Sequence, residues 1–94
     1  MEDEIVAIKQ IALWVIDVDR RLITIKAFSK KKVLHPSEIA RESSRSIQNI
    51  SRALHEMEEK GIVRGIDKKN TWKKYLLTDK GGKVLDEVRK ILER

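Results

Sequence analysis

The sequence contains no cysteine and only one proline. Without cysteine the chain has no disulfide framework, no thiolate zinc site and no cysteine nucleophile. It has no internal repeat and no low-complexity linker, so we expect residues 1–94 to form a single domain. No apolar run approaches the roughly 18–20 residues that a membrane-spanning helix needs, and no signal-peptide pattern is present. We therefore predict a cytoplasmic protein without membrane contact.

Groups that would support catalysis do not converge in the sequence. The histidines His35 and His55 stand alone, the serines form no Ser/His/Asp arrangement, and there is no glycine-rich phosphate loop. The glutamates at positions 42, 56, 58 and 59 fit a solvated surface. We therefore predict that the protein is not an enzyme and that it holds neither a metal nor a cofactor.

Positive charge is abundant, and it is unevenly distributed. The chain has 21 basic and 15 acidic residues, which gives a net charge of +6. Residues 26–78 carry thirteen basic and six acidic groups, a net charge of +7, whereas residues 1–25 carry −2 and residues 79–94 carry +1. A basic middle segment between less charged ends is typical of a surface that binds a polyanion.

Two short helices joined by a turn are predicted over residues 36–60, PSEIARESSRSIQNISRALHEMEEK. Pro36 suits the first turn of the first helix, where no N–H is needed, and the polar residues 42–45 fit the turn. Ser46 is placed to cap the second helix, and Gly61 can end it in the left-handed conformation. The inward stripe expected of this second helix consists of Ile47, Ile50, Leu54 and Met57.

The polar face of the second helix carries side chains that can read DNA bases. A helix of this kind can be laid in the major groove, where Gln and Asn pair with adenine and Arg pairs with guanine. The alternative is an ordinary amphipathic helix with a solvated face, which the helix pair alone fits about equally well. The polar residues on this face are Gln48, Asn49, Ser51, Arg52 and His55.

A basic β-hairpin is predicted directly after the second helix. Two runs of β-formers, 62–66 and 75–77, flank a polar loop that contains Asn70. Residues 61–76 contain five basic groups and one acidic group. Such a hairpin can lie along the DNA backbone or reach into the minor groove, and residues 33–34 are expected to form a further short extended segment.

Additional helices are predicted over residues 3–16, 18–30 and 79–94, with Asp17 as the cap of the second. The first helix is apolar on more than one side, so one side is expected to meet the core and another a second copy of the chain. The alternative is a helix that covers the core of a monomer. The candidate dimer-interface residues are Ile5, Ile8, Ala12, Trp14, Val15, Val88, Ile91 and Leu92.

The tandem glycines Gly81 and Gly82 stand near the start of the last predicted helix. Glycine is unfavourable within a helix. The pair therefore indicates either a close approach of another part of the chain or a loose first turn.

Residues 33–86 resemble winged helix-turn-helix transcriptional regulators of the MarR/ArsR-like kind, particularly small archaeal ones. HPSEIARES matches the support helix, SIQNISRALHEMEEKGIV the recognition helix and first wing strand, and KKYLLTDKGGKVL the second wing strand and following helix. The resemblance implies a mainly α, α+β fold: a winged helix-turn-helix with extra N- and C-terminal helices. Members are usually dimers that bind short inverted repeats in double-stranded DNA.

The resemblance assigns DNA contacts by position. The base-reading candidates are Ile47, Gln48, Asn49, Ser51, Arg52 and, from the same polar face, His55. The backbone-contacting candidates in the wing are Lys68, Lys69, Asn70, Trp72, Lys73 and Lys74. Three residues of the helix pair, Ser37, Arg45 and Ser46, are further candidates for contact with the DNA backbone. Two departures stand out: the turn lacks the glycine often found there, and Ile47 is apolar where polar residues are common, so it is expected to pack or to touch a thymine methyl group. The cysteine motifs of metal-sensing members are absent.

Two functions are therefore weighed. The first is a homodimeric, sequence-specific DNA-binding transcriptional regulator, with helix 46–60 in the major groove and wing 67–74 on the backbone or in the minor groove. The alternative is a winged-helix adaptor that binds protein or RNA, for which Trp72 at the wing tip would be an anchor. No sequence feature indicates an effector ligand.

Overall fold

The computed structural model describes residues 2–66 and 74–93, which form five helices and three strands. This is the mainly helical α+β arrangement expected, with a small sheet and an additional helix at each end. In chain order the elements are α1 (Glu2–Ile16), α2 (Asp19–Ala27), β1 (Val33–Leu34), α3 (Pro36–Ser43), α4 (Ile47–Glu59), β2 (Val63–Ile66), β3 (Lys74–Leu77) and α5 (Asp79–Leu92). None of the described helices is both long and apolar enough to cross a membrane.

The three strands form one antiparallel sheet in the order β1-β3-β2. β2 and β3 are the two sides of the expected hairpin, with Gly65 opposite Tyr75. The short segment β1 pairs on the other side of β3, with Leu34 also opposite Tyr75. The buried Tyr75 therefore lies at the centre of the sheet. Residues 67–73, between β2 and β3 in the sequence, lie outside the described residues.

Within residues 2–66 and 74–93, the helices and this sheet enclose one hydrophobic core. The middle of α4 contributes four apolar side chains with no exposed surface to this core, at spacings of three and four that place them on one side of the helix. These residues are Ile50, Ala53, Leu54 and Met57. The spacing prediction was correct for three of its four members, and the fourth, Ile47, lies on the surface.

Helix α2 is shorter than predicted, and its cap is different. Val18, not Asp17, is the N-cap residue, since its carbonyl accepts from the N–H groups of Arg21 and Leu22 at 3.0 and 3.1 Å. The helix ends at Ala27. Residues 28–30 continue it only as tight turns, in which each N–H bonds the carbonyl three residues back. Those turns explain why the helical pattern extends to residue 30.

The turn between α3 and α4 is shorter than residues 42–45, because α3 continues to Ser43. Ser44 takes the left-handed conformation, with φ 58° and ψ 30°, that glycine often supplies at such a turn. The N–H of Arg45 then bonds the carbonyl of Ala40 at 3.1 Å. The predicted caps of α4 are confirmed: Ser46 Oγ accepts from the Asn49 N–H at 3.1 Å, and Gly61 has a φ of 78°.

At Gly81, helix α5 closely approaches the backbone of Ile62, the residue before β2. A Cβ atom there would lie 2.1 Å from the carbonyl oxygen of Ile62 and 2.6 Å from a methyl carbon of Leu77. The same corner is fastened by Thr78, whose hydroxyl donates to the Gly61 carbonyl at 2.6 Å and accepts from the Gly81 N–H at 2.9 Å. The close-approach interpretation is therefore correct for Gly81.

Candidate nucleic-acid interface

One side of α4 faces outward and is polar. Gln48, Asn49, Arg52 and His55 are exposed, and Ser51 is half-buried beside them. The opposite side of the helix is buried in the core, so the rotation of α4 about its axis is determined by packing rather than by these polar groups. Four of the six base-reading candidates, Gln48, Asn49, Arg52 and His55, are therefore accessible on the outer side of α4.

Ile47 is exposed to 54% and does not belong to the buried stripe of α4. This corrects the inward placement expected from spacing alone. Ile47 is the first residue of the helix, directly after the capping Ser46, so it lies beyond the part of α4 that the core covers. A large apolar side chain at the exposed start of α4 is suited to contact with a thymine methyl group, and that role stays a prediction.

The backbone-contacting candidates are only partly within the described structure. Arg45, in the turn before α4, forms an ion pair with the carboxylate of Asp19 at the start of α2. Ser37 is half-buried in the first turn of α3, and Lys74 is half-buried at the first position of β3, opposite Ile66. Ser46, the N-cap residue of α4, is exposed. The remaining candidates, Lys68, Lys69, Asn70, Trp72 and Lys73, lie outside the described residues.

Two arginines of α2, Arg20 and Arg21, form ion pairs with Glu56 of α4. Arg20 Nη2 lies 2.8 Å from Glu56 Oε2, and Arg21 Nε lies 3.2 Å from Oε1. Hydrogen bonds from Arg21, and then those from Arg20, lower the pKa of Glu56 from 4.5 to about 2 despite its partial burial. This corrects the assignment of Glu56 to a solvated surface. No local sequence signal predicts the cluster, because its partners lie 35 and 36 residues apart.

Glu58 also has a structural role rather than a solvated one. Its carboxylate accepts the N–H of Gly65 at 2.9 Å, which ties the last turn of α4 to strand β2. The hairpin is thereby held against the helix that precedes it. Within the described residues, no group of three or more acidic or histidine side chains is arranged to hold a metal ion.

The dimer-interface candidates divide into three sets by their burial. Ile8, Ala12, Val15 and Val88 are buried in the core of this chain, so a second chain cannot contact them in this conformation. This corrects their assignment: their side of the helix is the one that meets the core. Ile5 and Leu92 are exposed, whereas Trp14 and Ile91 are partly buried against the core.

Exposed apolar side chains that were not among the candidates lie on the same helix as Ile5. Val6 and Leu13 are exposed to 51% and 56%, and Ile5 to 58%. At 100° per residue Val6 and Leu13 lie about 20° apart on one side of α1, away from the buried Ile8 and Ala12. Ile5 lies on the same side as Ala12 and is exposed near the start of the helix. The missed signal was present in the sequence, as apolar residues outside the main stripe, but only the packing of α1 on α5 shows which side is free.

Comparison with known proteins supports this architecture at the level of the fold. No protein-family model and no curated protein matches the sequence at the significance required. Among solved structures, the antimony-specific transcriptional repressor AntR superposes with a TM-score of 0.74 at 21% identity, covering 87% of this chain and 71% of its own. A mutant of the type III plasmid segregation protein TubR gives 0.77 at 16% identity, over 93% of this chain and 94% of its own.

A third similar structure contains nucleic acid. MepR from S. aureus, solved as a complex with DNA, has a TM-score of 0.63 at 24% identity and covers 90% of this chain and 66% of its own. A MarR family protein from Bacillus stearothermophilus is also among the similar structures. The described chain thus has the winged helix-turn-helix fold of MarR-family and related transcriptional regulators.

Proposed function

We propose that this protein is a transcriptional regulator that binds double-stranded DNA as a homodimer. The observation that carries the proposal is the outward polar face of α4, which presents Gln48, Asn49 and Arg52 while the opposite side is buried in the core. In this fold the corresponding helix can lie in the major groove. The likeness to a regulator solved with DNA supports the same interpretation.

Base choice is assigned to α4. The amides of Gln48 and Asn49 can each pair with the exposed edge of adenine, and the guanidinium of Arg52 can pair with guanine. All three side chains are exposed in the first half of the helix. The first turn of α4 contains no acidic residue, so nothing on it repels a nearby phosphate.

Affinity that does not depend on sequence is assigned to the basic residues of the hairpin region. Arg64 is exposed on β2, and Lys74 begins β3. With Lys68, Lys69 and Lys73 of the sequence between them, they make residues 61–76 strongly basic. Phosphate contacts of this kind supply most of the salt-dependent affinity for DNA.

Dimerisation is assigned to the exposed apolar side of α1 and to the end of α5. Val6 and Leu13 are exposed on one side of α1, Ile5 is exposed near its start, and Leu92 is exposed near the end of α5. Association that covers exposed apolar side chains such as these is favourable. Two copies joined through these helices would present two α4 helices to successive major grooves, about 34 Å apart. The expected target is therefore an inverted repeat.

Selection of bound duplexes from random DNA tests the proposal. Enrichment of an inverted repeat is the expected result. Arg52→Ala should relax the preference at one position of each half-site, by roughly 5- to 150-fold for a lost bidentate contact. Arg89→Ala, which removes the same charge from an exposed site on α5, should leave the selected sequence unchanged.

Failure to enrich any duplex would count against DNA readout. Binding to a protein or RNA partner that is insensitive to salt would then favour the adaptor function, because phosphate contacts are strongly salt-dependent.

A further inference from the structure

Three helices meet at the guanidinium of Arg21. Its Nη1 donates to the carbonyl oxygen of Trp14, near the end of α1, at 3.1 Å. Its Nε and Nη2 donate to the two carboxylate oxygens of Glu56 on α4, at 3.2 and 3.3 Å. One α2 side chain therefore hydrogen-bonds both α1 and α4, and it uses all three of its nitrogens to do so.

The indole ring of Trp14 strengthens this junction. The guanidinium carbon of Arg21 lies 3.9 Å from the ring centroid, a distance typical of a cation–π contact. The ammonium of Lys60, the residue that caps the end of α4, lies 5.2 Å from the same centroid. The ring at the end of α1 is thus held by one cation from α2 and another from α4.

This junction differs from an ordinary surface ion pair. The Arg21 side chain is only 13% exposed, and the planar guanidinium can satisfy a carboxylate and a carbonyl together only in a narrow range of positions. Exposed pairs constrain little, because long side chains in water move freely. A half-buried guanidinium with three hydrogen bonds instead restricts the relative position of the helices that it joins.

We propose that Arg21 is a positioning residue that couples α1 to α4 and thereby determines which spacing of DNA half-sites the dimer accepts. This inference rests on the proposed function, in which α1 contributes to the dimer contact and α4 enters the groove. In such a dimer, a rigid joint between α1 and α4 limits the distance between the two α4 helices to a narrow range. Since half-site spacing reflects that distance, a loosened joint broadens the range of spacings that bind.

Arg20 provides a matched control within the same cluster. Its Nε and Nη2 also bind the Glu56 carboxylate, at 3.2 and 2.8 Å. In the described structure, all hydrogen bonds of the Arg20 side chain go to Glu56, and none reaches α1. Arg20→Ala therefore removes a cation from the same carboxylate and leaves the hydrogen-bonded link through Arg21 in place. Arg21→Ala removes that link and leaves the contact of Lys60 with the Trp14 ring.

The experiment measures affinity for duplexes in which two copies of the selected half-site are separated by different numbers of base pairs. The wild-type dimer should prefer one spacing. Arg21→Ala and Glu56→Gln should each reduce that preference at least about threefold, since residues in one hydrogen-bond network couple by roughly 2- to 150-fold. Arg20→Ala should keep the wild-type profile. Affinity for a single half-site should stay within about twofold in all variants, because no base-reading residue is changed.

A spacing profile distinguishes positioning from simple stabilisation. If Arg21→Ala weakens binding equally at every spacing, the residue only stabilises the fold and the inference is wrong. The same holds if Arg20→Ala broadens the profile as much as Arg21→Ala, or if the wild-type dimer binds all spacings equally. If the wild-type protein binds no duplex, the proposed function itself fails.

Arg21→Lys provides a second variant if Arg21→Ala does not fold. Lysine keeps the positive charge beside Glu56 but lacks the planar fork that serves two acceptors at once. It should therefore broaden the spacing profile while the protein remains folded, as judged by thermal unfolding. An unchanged profile in a folded Arg21→Lys protein would overturn the inference.

Discussion

Replacing Gly81 with alanine should strongly destabilise the fold, although alanine is the better helix former. The added Cβ would lie 2.1 Å from the carbonyl oxygen of Ile62, far inside van der Waals contact, and 2.6 Å from a carbon of Leu77. A flexible side chain can move aside, but the Ile62 carbonyl is backbone. It also accepts the Thr78 N–H at 3.0 Å and, at 3.0 Å from the Thr78 hydroxyl, shares that group's single hydrogen with the nearer Gly61 carbonyl.

The magnitude follows from three contributions. Overpacking costs about 1–3 kcal/mol, and weakening the bonds to the Ile62 carbonyl costs about 1 kcal/mol. Replacing glycine by alanine within a helix returns about 1 kcal/mol. Gly81→Ala should therefore lower the free energy of unfolding by about 2 kcal/mol, which for a domain of this size corresponds to a decrease in Tm of roughly 8–16 °C.

Gly82 is the matched control for this experiment. A Cβ atom at Gly82 meets nothing within 4 Å, so Gly82→Ala gains helix propensity without a clash. It should raise the free energy of unfolding by about 0.5–1 kcal/mol. Urea unfolding followed by circular dichroism measures both variants. A Gly81→Ala protein as stable as the wild type, or two variants with the same change, would refute the reasoning.

Three further predictions follow from the ion pairs and the cap. Because hydrogen bonds from Arg21 lower the pKa of Glu56 to about 2, its stabilising effect is complete above pH 4.5 and is lost as the pH falls from 4.5 towards 2. Glu56→Gln should thus cost about 1–3 kcal/mol at pH 7 and less near pH 2, measured by urea unfolding. Asp19→Asn should free Arg45 for phosphate and raise DNA affinity roughly two- to fivefold at low salt, an increase that should disappear at high salt in a binding titration. Ser46→Ala should cost about 1 kcal/mol through loss of the α4 cap, whereas Ser46→Asp should cost much less.

The elements that the sequence predicted well are those with local signals. The start and end of α4 follow from Ser46 and Gly61, whose effects operate within three or four residues. The hairpin strands follow from β-branched and aromatic runs on either side of a polar loop. The prediction for α2 was less accurate at both ends. Asp17 is a common capping residue type, but the helix is capped by Val18. The tight turns at residues 28–30 could not be distinguished from a continuing helix by residue type alone.

The candidate site was predictable in composition and only partly in geometry. Gln48, Asn49 and Arg52 share an exposed face, as helical periodicity requires once the opposite stripe is buried. Ile47 has the same periodicity as that stripe and is nevertheless exposed, because burial depends on where the neighbouring elements end. The ion pair between Arg45 and Asp19 joins residues 26 positions apart, and no local pattern indicates it.

The sequence by itself therefore determined the order of the helices and, for α4, its caps and its polar face, because these depend on interactions between near neighbours in the chain. Only the tertiary structure decided which side of α1 is covered, which carboxylate Arg20 and Arg21 share, and why position 81 must be glycine. Those features depend on contacts between segments far apart in sequence, such as the Ile62 carbonyl against Gly81, and such contacts exist only after the chain has packed.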